Sequence, residues 1–320
     1  MKDIFNEKTF RNALLPLVLL SVSAGANALT LSVDSAAYAP TTSTGDQQSS
    51  VNNTGTGYAS AYSSDYDDPA YESYASSRGF VNASGVMGVG NYGNGTSYSS
   101  QSELSWSDSY TNTSATTEDI SFDFLIWGGA LSTWGVDTTG ESAESSYWID
   151  ILVNGASLWS SSASLASVTT GTSLNETGTS LGGTFSTSST GGSYYWDDST
   201  TTLDLGTLGV GETLTLEYIM GGSASGVGTL DTSTNCYWEY EGELLLEDQF
   251  IEEEGYFCGG VNSSMSIGDP FGFSSAPSLS PTISGTAVAS VPEPETFLLL
   301  GAGVFAMSLV SRRRKANRES

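Results

Sequence analysis

Apolar and polar positions alternate with a period of two over much of this chain, the pattern of strands that bury one face. In SYSSQSELSWSDSY (residues 97–110) Tyr98, Leu104 and Trp106 stand between polar neighbours, and in DISFDFLIW Ile120, Phe122 and Phe124 alternate as cleanly. Two half-buried strands are predicted, joined through the polar TNTSATTED turn. WIDILV and ASLW flank Asn154-Gly155, a pair that favours a type I′ hairpin because both turn residues need positive φ. Leu214, Leu216 and Tyr218 then share one face, with Thr215 and Glu217 on the other, and YWEYEGELLL (residues 237–246) repeats the alternation.

Other stretches are less regular. Gln47 to Gly57 is polar and rich in Gly, Ser and Thr, which predicts a loop or flexible linker, and residues 160–193 read as loops with one or two weak strands. Tyr58, Tyr62, Tyr66, Tyr71 and Tyr74 have near-helical spacing, but the intervening Ala-Ser-Ser and Asp67-Asp68-Pro69 argue for strand and turn. These rings either pack on their own sheet or stack on sugar rings. With Gly or Asn punctuation throughout, the pattern predicts an all-β fold, an antiparallel β-sandwich of jelly-roll-like topology built from eight or so strands.

The two ends of the chain are different. Lys2, Lys8 and Arg11 precede the apolar run Ala13 to Val22, and Ala26-Asn27-Ala28 forms an Ala-x-Ala cleavage site, the three parts of a secretory signal peptide over residues 1–28. At the other end Val291-Pro292-Glu293-Pro294-Glu295 is followed by an uncharged run from Phe297 to Val310 and then by Arg312, Arg313, Arg314 and Lys315. As a helix that run spans roughly 21 Å, short of the ~30 Å hydrocarbon core, so a thin or transient transmembrane helix over 297–310 is expected. The prolines hold Pro-Glu-Pro extended at the surface, and the basic cluster is a stop-transfer signal on the cytoplasmic side.

Pro-Glu-Pro, a short apolar helix and an Arg-rich end, in that order, resemble the PEP-CTERM sorting signal over residues 291–315, leaving 316–320 as a tail. In that family an exosortase, a membrane transpeptidase, recognises the signal, and the carriers are exported by Gram-negative bacteria that make extracellular polysaccharide. The same tail is also labelled an ice-binding-protein C-terminal motif, a label that names a tail and not an activity. The resemblance implies processing near Val291 to Pro294, transient passage through the inner membrane, and a final place at the cell surface or outside it. TNTSATTEDISFDF and LGTLGVGETLTLEY also resemble sandwich ectodomains carried by such proteins. The expected organisation is a Ser/Gly/Tyr-rich N-terminal part of the ectodomain over 29–94, a β-sandwich over 95–275 and a linker over 276–290.

Charge changes meaning once the ends are set aside. Of the nine Lys and Arg, three lie in the signal peptide and five follow Ser311, which leaves Arg78. Thirty-three acidic residues remain beside it, a net charge near −32 that repels nucleic acid and anionic lipid. Acidity of this kind keeps a secreted protein soluble or collects divalent cations. Asp65, Asp67 and Asp68 form a D-x-D-D arrangement of hard oxygen ligands suited to calcium, and Glu247, Asp248, Glu252, Glu253 and Glu254 are either a second such cluster or a solvated loop.

Chemistry is narrowed by what the composition omits. There is no histidine, which excludes Ser-His-Asp, Cys-His and His-ligated metal sites, and a single cation leaves phosphoryl transfer without charge-stabilising partners. A carboxylate pair for glycoside hydrolysis survives, but no spacing distinguishes two acids among the many. Cys236 and Cys258 are the two cysteines of an exported chain and are expected to form a disulfide that constrains the unfolded chain by roughly 3 kcal/mol.

The expected function is therefore non-enzymatic: an exported, acidic surface protein with a structural or adhesive role in the extracellular polysaccharide or biofilm matrix. A carbohydrate-active hydrolase and a soluble ligand-binding module are the alternatives.

Overall fold

Small side chains decide how this chain folds, because Ser, Ala and Gly fit between two sheets that approach closely. A computed structural model describes residues 30–39, 45–53, 58–66, 73–83, 86–229, 237–245, 249–257, 260–268 and 282–287. Nineteen strands and no helix occur among the described residues, and every pairing is antiparallel. The expected signal peptide over 1–28 and the expected C-terminal helix over 297–310 lie outside them.

The first sheet holds seven strands in the order β11 (Gly171–Gly178), β10 (Ala156–Val168), β9 (Ser142–Val153), β15 (Thr213–Val227), β6 (Ser97–Thr111), β1 (Thr30–Tyr38) and β2 (Asp46–Asn52). The second runs β12 (Thr184–Thr187), β13 (Gly192–Trp196), β8 (Gly129–Trp134), β18 (Val261–Gly268), β5 (Met87–Gly95), β4 (Ser73–Asn82) and β3 (Tyr58–Tyr66), and packs face to face on the first. The part over 29–94 supplies strands to both sheets, with β1 paired along β6 from Thr30↔Ser107 to Tyr38↔Ser99.

A three-stranded sheet, β14 (Ser199–Leu208), β7 (Glu118–Ile126) and β19 (Thr282–Ala287), prolongs the second layer. β7–β14 and β8–β13 keep one register, Ile126↔Ser199 on one side of the break and Gly129↔Trp196 on the other. Trp127 and Gly128 mark the bend. Trp196 Nε1 donates to Trp127 O at 2.8 Å and Gly128 N donates to Asp198 Oδ1. The fifteen-residue strands β6 and β15 therefore meet two partners: Tyr98 OH reaches Ser263 Oγ at 3.0 Å in the second sheet, whereas Trp106 stacks on Phe122 at 6.2 Å in the third.

Two apolar clusters result, a large one around Trp106, Phe122, Phe124 and Tyr218 and a small one around Ala37, Ala75, Tyr98 and Val261. Small polar side chains form a seam across the sandwich. Ser35 Oγ donates to Ala61 O at 3.2 Å, Ser63 Oγ to Ser35 O at 3.0 Å, Ser77 Oγ to Gln101 O at 2.5 Å, and Asn91 Nδ2 to Ser102 Oγ at 2.8 Å. Each bond links one sheet to the other, and a carbonyl already in a ladder has a second lone pair to accept it.

The alternation-based strands are present: Tyr98, Leu104 and Trp106 on β6, Ile120, Phe122 and Phe124 on β7, Leu214, Leu216 and Tyr218 on β15. Asn154 and Gly155 take φ of 51° and 79°, and Val153 pairs with Ala156 across the turn as type I′ geometry requires. Two expectations are corrected. Asp46–Asn52 is the edge strand β2, not linker, paired throughout with β1, and residues 160–193 carry the end of β10, all of β11 and β12, and the start of β13. Ser161, Ala163, Leu165 and Ser167 alternate inward there, and the small size of all but Leu165 hid the period. The TNTSATTED connection is an arch between sheets, held by buried Asn112, whose Nδ2 donates to Thr116 O at 2.8 Å and Leu208 O at 2.9 Å.

Candidate functional site

The outer face of the first sheet gathers acids that the sequence scatters. Asp34 on β1 is the register partner of Glu103 on β6, Glu103 the partner of Gly221 on β15, and Gly221 the partner of Trp148 on β9. One row thus runs Asp34–Glu103–Gly221–Trp148. The next rows bring Asp150 opposite Ile219 and Glu217 opposite Leu152 and Ser107.

Gly221 gives the row its shape. With no side chain there, the indole of Trp148 lies across the bare strand, and a Cβ at Gly221 would fall 2.4 Å from its Cε2 and Cζ2. The ring reaches the next strand, where its Nε1 donates to Glu103 Oε2 at 2.9 Å. Hydroxyl pairs flank it, Ser146–Ser223 at 2.7 Å and Ser32–Ser105 at 2.8 Å. Asp34 is exposed, while Glu103, Trp148, Asp150 and Glu217 are half-buried.

Crowding shapes the electrostatics. Burial pushes the Glu103 carboxyl above its usual range, the Trp148 bond opposes that, and the charges of Asp34 and Glu217 add to it. Burial raises Asp34 as well, and burial followed by the charge of Asp150 raises Glu217. The face is a surface of crowded like charges, each of which disfavours the ionised form of its neighbours.

The residues singled out from sequence are placed only in part. Asp65 Oδ2 accepts the Ala39 N–H at 2.7 Å, a structural bond between β3 and the end of β1, whereas Asp67 and Asp68 lie outside the described residues. Among the described residues no three Asp, Glu, Cys or His side chains are grouped to hold a metal ion. Cys236 and Cys258, Ala26 and Ala28, Pro292, Glu293 and Pro294, and Arg312, Arg313, Arg314 and Lys315 also lie outside them. Glu103 and Trp148 were missed as a pair because forty-five residues and two strand registers separate them.

The tail decides the destination of this face. Residues 290–315 match the PEP-CTERM protein-sorting motif. The chain carries a PEP-CTERM signal. The matched span contains Pro292, Glu293, Pro294 and the basic residues 312–315, so the order of features read from sequence is that of the motif. A PEP-CTERM signal marks an exported protein targeted to the cell surface, with an exosortase as its processing partner. No curated protein matches the chain.

Proposed function

We propose that this chain is an exosortase-processed surface protein that contributes structure or adhesion within the extracellular polysaccharide or biofilm matrix. The observation that carries the reading is the PEP-CTERM motif at residues 290–315. The charge near −32 between the signal peptide and the basic cluster at 312–315, and a broad sheet face with acids beside an aromatic ring, support contact with hydrated polymer. The signal peptide ends at Ala28, the apolar run from Phe297 crosses the inner membrane transiently, and processing near Val291 to Pro294 releases the ectodomain or attaches it to the surface.

The role is one of contact and not of catalysis. Supporting this, Asp34 and Glu103 are side-by-side neighbours on one sheet face, whereas glycoside hydrolysis needs two carboxyls flanking the scissile bond from different sides. Cell fractionation with and without the exosortase tests the reading. Retention in the inner membrane only when the exosortase is missing is expected; retention in both strains overturns it.

A further inference from the structure

The Trp148 ring is more than a side chain at rest. It lies on the gap left by Gly221, its N–H is tied to Glu103, and it stays half-buried on the outer side of the sheet, so part of the ring is open to solvent. The strands beneath it are interior members of a seven-stranded sheet with their ladders filled. A partner here cannot add as a strand; it has to lie on the face.

We propose that this face binds a glycan with free, protonated amino groups, Trp148 being its stacking platform and Asp34, Glu103, Glu217 and Asp150 its ammonium acceptors. The proposal rests on the matrix reading above and names the polymer class. An indole face attracts a cation within about 6 Å of its centroid, and Trp is the strongest of the aromatic residues in this. Asp34 and Glu103 sit on the Trp148 row as direct cross-strand partners, whose Cβ atoms lie about 5 Å apart, with Asp150 one outward row along and Glu217 two. Charge-assisted N–H···O bonds from an ammonium therefore lie within reach of a sugar ring stacked on Trp148.

Charge selects the occupant. A surface near −32 repels anionic polysaccharides such as uronic-acid polymers, and a neutral glycan leaves the crowded acids unrelieved. The groups facing Glu103 are Asp34 from β1, Glu217 from β15, and Trp148 and Asp150 from β9, with the Ser49 and Ser162 positions closing the row at β2 and β10. Burial and the charges of Asp34 and Glu217 penalise the Glu103 charge against the favourable Trp148 bond, a penalty that an incoming ammonium relieves. The Ser32–Ser105 and Ser146–Ser223 pairs add hydroxyls that exchange hydrogen bonds with sugar hydroxyls. An extended basic peptide gains none of its main-chain bonds on such a face.

Co-sedimentation of the full chain with insoluble glycans tests this, using chitosan for free amines, chitin for acetylated amines, cellulose for a neutral polymer and calcium alginate gel for an anionic one. Binding to chitosan is expected, weakened about tenfold by Trp148→Ala and by Glu103→Gln, kept by Trp148→Phe, lost at high salt and lost on re-acetylation of the chitosan. Melting curves of each variant separate lost binding from lost folding, and Asp34→Asn, at an exposed position, gives a variant expected to fold as the parent does. Equal binding to chitosan by all variants, preference for chitin, cellulose or alginate, or tighter capture of poly-lysine than of chitosan would overturn the proposal. Binding to cellulose or alginate alone leaves the matrix reading standing while this site falls; binding to none of the four counts against the matrix reading itself.

Discussion

The Glu141 carboxylate holds Thr229 twice, accepting its backbone N–H at 3.0 Å and its hydroxyl at 2.5 Å through Oε1. Its Oε2 accepts the N–H groups of Asp137 and Thr138, both at 2.9 Å, so one buried side chain ties the β8–β9 loop to the exit of β15. Burial alone would push this carboxyl up, but the hydrogen bonds from Thr229, Thr138 and Asp137 outweigh it and hold the pKa at about 2. A carboxylate with a depressed pKa stabilises the fold fully above its unfolded value of 4.5 and loses that contribution as pH falls toward about 2. Denaturant titrations across that window should show stability falling with acid. Glu141→Gln should lower stability at neutral pH by roughly 2 kcal/mol and flatten the profile between pH 4.5 and 2.

Glu217 should behave in the opposite sense. Its pKa is raised by burial and by Asp150, a diagonal neighbour across the β15–β9 ladder, so its charge destabilises the fold at neutral pH. Stability tied to this group is greatest below its unfolded pKa and declines as pH rises through the raised folded value. Glu217→Gln is expected to raise the denaturation midpoint at pH 7 by up to about 1 kcal/mol in free energy, the scale of a cross-strand charge pair. The gain should vanish in acid, where the wild-type carboxyl is protonated. A gain that persists at low pH would point to packing instead.

Close approach of the two sheets makes Gly93 irreplaceable. A Cβ there would sit 1.9 Å from Cδ2 of Tyr98, whose ring is buried and whose hydroxyl is bonded to Ser263. The ring cannot swing away without breaking that bond or striking Gly226, whose own Cβ position is 2.5 Å from the Tyr98 hydroxyl. Gly93→Ala should cost about 2 kcal/mol or more, the range for overpacking a filled interior. Tyr98→Phe alone, which loses one hydrogen bond and no volume, should cost about 1 kcal/mol. Thermal unfolding of the two variants separates crowding from bonding.

Local signals were legible in this sequence and distributed ones were not. Asn154-Gly155 announces its own turn, Leu214-Leu216-Tyr218 its own face, and Pro292 to Lys315 its own sorting tail, because each message is complete within a few residues. The strands over 160–178 hid because Leu165 and Leu174 are the only large apolar residues among inward positions otherwise filled by small Ser, Ala and Thr, which carry little hydrophobic contrast. The arch at Asn112 looked like any polar turn, since nothing in TNTSATTED states that it crosses between sheets. The Trp148–Glu103 row depends on strand order and on a glycine whose contribution is the absence of a side chain, information that exists only after β15 lies between β6 and β9.

The disulfide expected from sequence would join the two residues that flank a described hairpin. β16 (Tyr237–Leu245) and β17 (Gln249–Phe257) form a two-stranded sheet that pairs with no other described strand, from Tyr237↔Phe257 to Leu245↔Gln249. A two-stranded hairpin to which no other described strand is paired is marginal in water. Cys236 precedes Tyr237 and Cys258 follows Phe257, so the two cysteines are the chain neighbours of the last matched pair. A bridge between them would clamp the base of the hairpin, and closing a loop of this size constrains the unfolded chain by roughly 3 kcal/mol. Mass spectrometry of protein exported into an oxidising compartment should find the chain two hydrogens lighter than its fully reduced form. Cys236→Ser should make the 237–257 segment cut faster by protease while the main sheets melt nearly as before. Free thiols in the exported protein, or a Cys236→Ser hairpin as resistant as the parent, would rule the clamp out.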